Sequence, residues 1–320
     1  MREFEVIRRI RQENPSLGDR VEVPPGDDLG EVRLAESGGV VLAGVDQVIA
    51  GVHLADSAAP ERFAWKVAAR SLSDVAAMAA CPAGMVVAAA LSPDIETEWA
   101  NRFASELQRI GSMFECPLIG GDIAVLPAVG DSMVFSSTVL ATPDPEAGHR
   151  LVLRSEARPG DLVCVSGEFG ASLDSDGGGH HQEFMPRIDV ARSLHRSLGN
   201  CLTSMIDVSD GLSSELSHLS RESKVRIVIE GERIPRRHDS KLEQALCDGE
   251  DYELCFTVSA TAELPACIAE VPLTVIGRVE HGEGVFLDSS GDQAPLEASG
   301  WEHQTRPAAR DSSDSEGGFR

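Results

Sequence analysis

Basic residues and aromatics are both scarce in this chain of 320 residues. Lys and Arg number 28 against 52 Asp and Glu, a net charge of −24. Such a surface repels nucleic acid and anionic membranes, so neither is an expected partner. Any phosphate bound here must be approached through cations, which points to metals. Aromatics are 4% of the residues, so Ala, Val, Leu and Ile must do most of the packing. No stretch approaches the roughly 20 apolar residues of a membrane helix. The charged, amphipathic start MREFEVIRRIRQ has no apolar signal core. Seven cysteines (Cys81, Cys116, Cys164, Cys201, Cys247, Cys255 and Cys267) are widely spaced, with no CxxC pair. That excludes a disulfide or zinc framework and suits a reduced, cytoplasmic protein. Three common catalytic signatures are also missing: the GxxxxGK[ST] phosphate loop, the HRD/DFG pair and HExxH.

The chain does have length for two domains and 42% hydrophobic residues to fill their cores. Residues 1–12 read as a short helix. Val40 to Val45 reads as a strand ending at Asp46. Pro60 opens a helix with apolar residues at helical intervals, and Pro82 stops it. Met85–Leu91 reads as a buried strand, Glu96–Met113 as an amphipathic helix, and Met133–Leu140 as another strand. Residues 141–150 form a Pro/Gly-rich break. A second block then shows strands at Leu162–Val165, before Asp207, at Val225–Ile229 and at Tyr252–Val258. Helices fall at Ile188–Leu198 and after Gly211, and residues 174–181 read as a flexible loop. The expected fold is α/β (in the α+β sense): two domains, each a mixed β-sheet covered by helices. The divisions are 1–143, 144–303 and a disordered tail, 304–320.

One pattern recurs: Asp beside small residues at the end of an apolar strand or inside a helix. It occurs in Gly26-Asp27-Asp28, Val45-Asp46, Ser73-Asp74, Gly120-Gly121-Asp122 and Asp207-Val208-Ser209-Asp210-Gly211. Singly, each is more often a turn or a helix cap. Together at one sheet edge they would repel, by about 4 kcal/mol for two charges 4 Å apart at an effective dielectric of 20. Such a group needs a cation among it. Asp oxygens are hard ligands suited to Mg²⁺, which also bridges phosphates. Metal-assisted phosphoryl chemistry is the reading that follows. His180 and His181 lie in a Gly-rich loop with no second ligand cluster and read as no metal site.

These segments, in this order, resemble the thiamine-monophosphate kinase family of the aminoimidazole ribonucleotide synthetase-like superfamily. Further segments carrying the resemblance are Ala50-Gly51-Val52-His53, Leu72-Ser73-Asp74-Val75-Ala76-Ala77-Met78, Arg154 ahead of Arg158-Pro159-Gly160-Asp161, Gly249-Glu250-Asp251-Tyr252-Glu253-Leu254 and Gly300-Trp301-Glu302-His303. The resemblance implies ATP-dependent conversion of thiamine monophosphate to thiamine diphosphate by a homodimer. It implies several Mg²⁺ ions held by Asp28, Asp46, Asp74, Asp122, Asp207 and Asp210. ATP would meet Gly121, Asp122, Arg154 and Ser209, and the substrate would meet His53, Glu250 and Trp301. No dedicated catalytic base is implied. The substrate's own phosphate, with a second pKa near 6, is already mostly dianionic at pH 7.

Two departures stand out. Family members usually carry two small hydroxyl residues before the Asp at 46, where this chain has Gly44-Val45. The C-terminal element ends in Gln304 where an aromatic is usual. Two other readings stay open. One is a superfamily enzyme with another acceptor, and the other is a catalytically silent nucleotide-binding protein.

Overall fold

The computed structural model describes residues 21–23, 27–34, 39–174, 177–238 and 240–301. The expected helix over 1–12, Gly26, Gln304 and the 304–320 tail lie outside the described residues. Two mixed sheets carry the architecture. The first contains β1 (Val21–Val23), β2 (Gly30–Leu34), β3 (Gly39–Ile49), β4 (Cys81–Leu91), β5 (Leu118–Val125) and β6 (Val134–Thr142). Their order is β1-β2-β3-β6-β4-β5. Only the β4–β5 pair is parallel among the described strands of this sheet.

Helices α1 (Pro60–Ala77) and α2 (Thr97–Met113) cover one face of that sheet. Proline at the first helical position presets φ and starts α1. Its Phe63, Val67, Leu72 and Val75 bury against Leu42, Val48, Val87 and Phe135 of the strands. The alternation of β3 is consistent with this: Leu42 and Val48 are buried, while Ala43, Val45 and Gln47 are exposed.

The second sheet is ordered β14-β13-β9-β12-β7-β10-β8, with β11 paired to β12. Its strands are β7 (Leu162–Ser166), β8 (Leu202–Asp207), β9 (Arg226–Glu230), β10 (Leu254–Val258), β11 (Cys267–Ile268), β12 (Val271–Glu280), β13 (Gly284–Ser289) and β14 (Asp292–Pro295). Every residue of β8 and of β10 is buried, as befits strands packed on both faces. Three further helices are α3 (Ile188–Leu198), α4 (Leu212–Ser223) and α5 (Leu242–Cys247). One apolar cluster runs across both sheets. Phe63 and Leu72 of α1 share it with Leu194 of α3, Met205 of β8 and Phe256 of β10. A second cluster lies within the second sheet, around Ile206, Leu212, Leu216 and Ile227.

Several sequence expectations change in detail. Asp46 is not at a strand end, because β3 keeps its register with β6 from Leu42↔Ala141 to Ile49↔Val134. Asp122 likewise lies inside β5, where two glycines do not break the strand. Pro82 follows the helix but sits in β4, beside a register irregularity at Pro82/Gly84. The 174–181 segment ends in a short helical turn that buries His181. The strands between 267 and 295 carry little apolar periodicity, and the sequence reading passes over them.

Candidate active site

Three segments far apart in sequence bring carboxylates together. Asp28 precedes β2, Asp74 lies in the last turns of α1, and Asp207 ends β8. One carboxylate oxygen from each lies within 4.8 Å of the others. The helix places Asp74 there because its neighbours Leu72 and Val75 are locked into the core. β8 places Asp207 because it pairs in register with Leu254 at the start of β10. Ser73 Oγ donates to Asp207 Oδ2 at 2.6 Å. Arg154 grips Asp28 with two donors, Nε at 2.9 Å and Nη2 at 2.6 Å, and its amide donates to Asp27 at 3.1 Å.

The electrostatics are those of crowded, buried acid. Burial pushes the Asp74 carboxyl well above the usual carboxylate range, and Asp46, Asp207 and Asp28 push it further. Burial and then Asp28 push Asp207 up to about 8, against the bond from Ser73. Asp27 is pushed up to about 7 by burial and by Asp28. Arg154 therefore offsets only part of the repulsion. All the ligand atoms are carboxylate oxygens, the donor set preferred by a hard divalent cation such as Mg²⁺. Converging oxygens, burial and surplus negative charge all fit such an ion.

A second group adjoins the first. Val208 donates to Glu253 O at 2.7 Å, Tyr252 to Val208 O at 2.8 Å and Glu250 to Ser209 O at 2.6 Å. The 207–211 and 249–253 segments are thus laced backbone to backbone. Gly249 (φ +71°) sits so close that a Cβ there would lie 2.8 Å from Ser209 O. The 300–301 segment joins them: Trp301 N donates to Asp210 O at 3.0 Å, and a Cβ on Gly300 would lie 2.3 Å from that oxygen. Ser209, Asp210, Glu250 and Trp301 are thereby assembled. Glu250 has φ +58° and pairs with Lys66 of α1. Lys66 is fully buried and also meets His181, at 2.9 Å to Nδ1 and 3.1 Å to the carbonyl. The other acids of this segment hold the loop. Asp251 accepts from Ser172 Oγ (2.6 Å), Gly170 N (3.0 Å) and Arg237 (3.0 Å). Glu253 accepts from Ser166 Oγ at 2.6 Å and pairs with Arg187.

The remaining expected residues are placed differently. Asp46 is near enough to raise both Asp74 and Asp207 but stands outside the three-carboxylate group. Asp46 pairs with Ser137, Ser137 with Val87, and Val87 with Gly121, a row on the helix-covered face. Asp122 belongs to the next row, Ala88, Ser136 and Gln47, which faces the other way, and it is exposed. The fold does not bring Asp122 to the carboxylate group. His53 lies in the turn after β3, its Nδ1 accepting from Ile49 N at 2.9 Å.

The sequence reading missed Lys66, Arg70 and Glu215. Glu215 of α4 is 4% exposed and accepts from Asp210 N at 3.2 Å. Burial and then Asp210 push its carboxyl well up. A usable signal existed for the two cations: Lys66, Arg70 and Asp74 recur every four residues, one face of an otherwise Ala-rich helix.

Fold and site together define a two-sheet α/β protein built around an acidic centre suited to a cation. Models of the AIR synthase related protein family match in two parts, the N-terminal domain over residues 26–142 and the C-terminal domain over 158–289. The chain belongs to this family. It is 31% identical to the thiamine-monophosphate kinase of Pyrococcus horikoshii, covering 95% of this chain and 96% of that one. It is also 31% identical to the Escherichia coli K12 thiamine-monophosphate kinase, covering 95% and 99%. A solved structure, AaThiL complexed with AMPPCP and TMP, superposes with a TM-score of 0.79 at 28% identity, covering 95% of this chain and 97% of that one.

Proposed function

We propose that this chain transfers the terminal phosphoryl group of ATP to the phosphate of thiamine monophosphate, giving ADP and thiamine diphosphate. The observation that carries the reading is the converging Asp28–Asp74–Asp207 group in a chain similar over nearly its whole length to thiamine-monophosphate kinases. Mg²⁺, when bound, would supply the positive charge that lets two anionic phosphates approach. Asp28, Asp74 and Asp207 would hold it, with Asp210 on the adjoining segment as a further ligand. Asp46 faces Arg70 and Asp122 faces away from the group, so neither is a ligand in this reading.

The chain's own groups then have the following tasks. Arg154 spends Nε and Nη2 on Asp28, which leaves Nη1 to meet an ATP phosphate oxygen. Gly121 and Ser209 offer backbone at close approach, and Asp122 lies next in line. His53 and Glu250 contact the thiamine phosphate and its ring nitrogens. Trp301, an exposed residue, presents an aromatic face to the cationic thiazolium. No side chain has to remove a proton, since the accepting phosphate is already dianionic at neutral pH. In-line positioning and charge neutralisation do the rest.

The reading extends to assembly and place. The sheet face turned away from α1 and α2 exposes Val32, Leu34 and Val45, and the edge strand β5 exposes Ile123 and Val125. A second copy of the chain would cover them, giving a homodimer. None of the described helices is long and apolar enough to cross a membrane. With all seven cysteines free, a cytoplasmic enzyme is the proposal. The organisation proposed is residues 1–143 for metal, ATP and dimerisation and 144–303 for further ATP and substrate contacts.

The test incubates purified protein with ATP, Mg²⁺ and thiamine monophosphate and separates the thiamine species. Thiamine diphosphate should form with the monophosphate and vanish with EDTA or Asp74→Asn. ATP binding without turnover of this acceptor would replace the reading with a silent nucleotide-binding protein or with another acceptor.

A further inference from the structure

One cation at this site has no task in the proposed reaction. Arg70 lies one turn before Asp74 and one turn after Lys66, and its side chain is 17% exposed. Its Nη1 donates to the Gln47 carbonyl at 3.1 Å, and its Nη2 stands 3.7 Å from Asp46 Oδ1. Its Nε is buried without a partner, and so is Oδ2 of Asp46. A guanidinium Nε–Nη2 edge is the fork that matches both oxygens of a carboxylate, and here one tooth of each fork is unused.

The pairing follows from register. Gly44 and Asp46 are two apart on β3 and face α1, while Arg70 and Asp74 are four apart on the facing side of that helix. Gly44 therefore lies against Asp74, where a Cβ would be 3.4 Å from Oδ2, and Asp46 lies against Arg70. A Cβ at 44 would also come within 2.4 Å of Leu29 Cδ2. Leu29 has taken the space in which a side chain at 44 could carry an oxygen. On this wall of the site a hydroxyl is absent and a fixed positive charge is present.

We propose that the Arg70 guanidinium is the resident counter-ion of Asp46 and stands in for a divalent ion at that carboxylate. The chain then holds one divalent ion fewer than the same site would with position 70 uncharged. This rests on the reading of the Asp group as a cation site but not on the identity of the phosphate acceptor. The physics is competitive. An ion on Asp46 would sit within a few ångströms of a tethered charge of the same sign, in a partly buried setting that screens little. Arginine cannot relieve the conflict by losing its proton.

The experiment counts Mn²⁺ alone on the full-length protein, by electron paramagnetic resonance of the free ion. Near-ultraviolet circular dichroism verifies folding of each variant. Arg70→Gln, which can keep the bond to Gln47, and Arg70→Met should each bind one more Mn²⁺ than the parent, or tighten the weakest site at least tenfold. Arg70→Lys should bind as the parent does. Adding Asp46→Asn to Arg70→Gln should remove the gain. The same number and affinity in parent and Arg70→Gln would overturn the proposal while leaving the cation site standing. No Mn²⁺ on the parent or on any Arg70 variant would overturn both. A raised KM for thiamine monophosphate with unchanged Mn²⁺ binding would assign Arg70 to the substrate instead.

Discussion

Lys66 and Glu250 provide the sharpest test of the site, because the pair is asymmetric in burial. The Lys66 side chain is wholly buried, whereas that of Glu250 is 28% exposed. Breaking a buried pair from one side costs about 3–5 kcal/mol when it strands a charge. Glu250→Gln strands the ammonium among neutral acceptors, the His181 ring nitrogen and carbonyl. Its cost should fall in the lower part of that range, about 3 kcal/mol. Lys66→Met strands a carboxylate that can turn to water, so about 1–2 kcal/mol is expected once solvent screening is allowed for. The two together should cost less than their sum, by about 1–2 kcal/mol.

The pH dependence has a definite sign. Burial lowers the Lys66 pKa, and Glu250 works against that lowering. Without Glu250 the pKa falls further, so Glu250→Gln penalises the protonated form. Its penalty should be larger at pH 7 than at pH 9.5, falling as pH rises through the folded-state pKa of Lys66, because the unfolded chain titrates alike in both proteins and cancels. Urea unfolding of the four proteins in this cycle, at pH 7 and at pH 9.5, measures all of this. The reasoning fails if Lys66→Met costs as much as Glu250→Gln. It also fails if the effects add within about 0.5 kcal/mol.

Further outcomes are expected at neighbouring positions. Gly300→Ala puts a Cβ 2.3 Å from the Asp210 carbonyl and must displace Trp301. KM for thiamine monophosphate should then rise several-fold while that for ATP changes little, as steady-state kinetics would show. Arg154→Met leaves the fully buried Asp28 side chain without its partner. A loss of about 3–5 kcal/mol in urea is expected, partly restored by Mg²⁺. Asp207 has a folded-state pKa raised to about 8 from 3.8. Its contribution to stability is present below pH 3.8 and is lost as pH rises through 8, unless a cation neutralises it. The Tm gain from Mg²⁺ should accordingly be larger at pH 8 than at pH 6, and an equal gain would contradict the buried-cluster account. Val45→Asp, on the uncovered sheet face, should abolish the proposed dimer in light scattering with circular dichroism unchanged.

How much of this was legible in the sequence depends on whether a residue's role is set locally. Asp74 was legible because a carboxylate inside an Ala-rich helix has no local excuse, and Asp207 because its strand ends on it. The helices at Pro60 and Thr97 were legible because a buried stripe with a 3.6 period is a local signal. Asp122 shows the limit. Its position in a Gly-Gly-Asp run suggests a strand end, yet β5 continues through it, and only cross-strand register tells which face the side chain takes. Strands β12 to β14 were missed for a related reason: their partners, not their own alternation, hold them in place.

Charge compensation is the least legible feature, and here it sets the character of the site. The sequence shows a surplus of acid and predicts that cations must answer it, but not which cations are covalently supplied. Each of three cations meets a different carboxylate: Arg154 on Asp28, Lys66 on Glu250 and Arg70 on Asp46. None is adjacent in sequence to its partner, so each pairing exists only once both sheets and α1 are docked. Among the described residues Asp74 and Asp207 have no such built-in cation, and their carboxyls are pushed well upward. The fold thus divides its acid into carboxylates neutralised by its own side chains and carboxylates left for an exchangeable ion. The second group lies next to the segments that carry Ser209, Glu250 and Trp301, where two phosphates would have to meet.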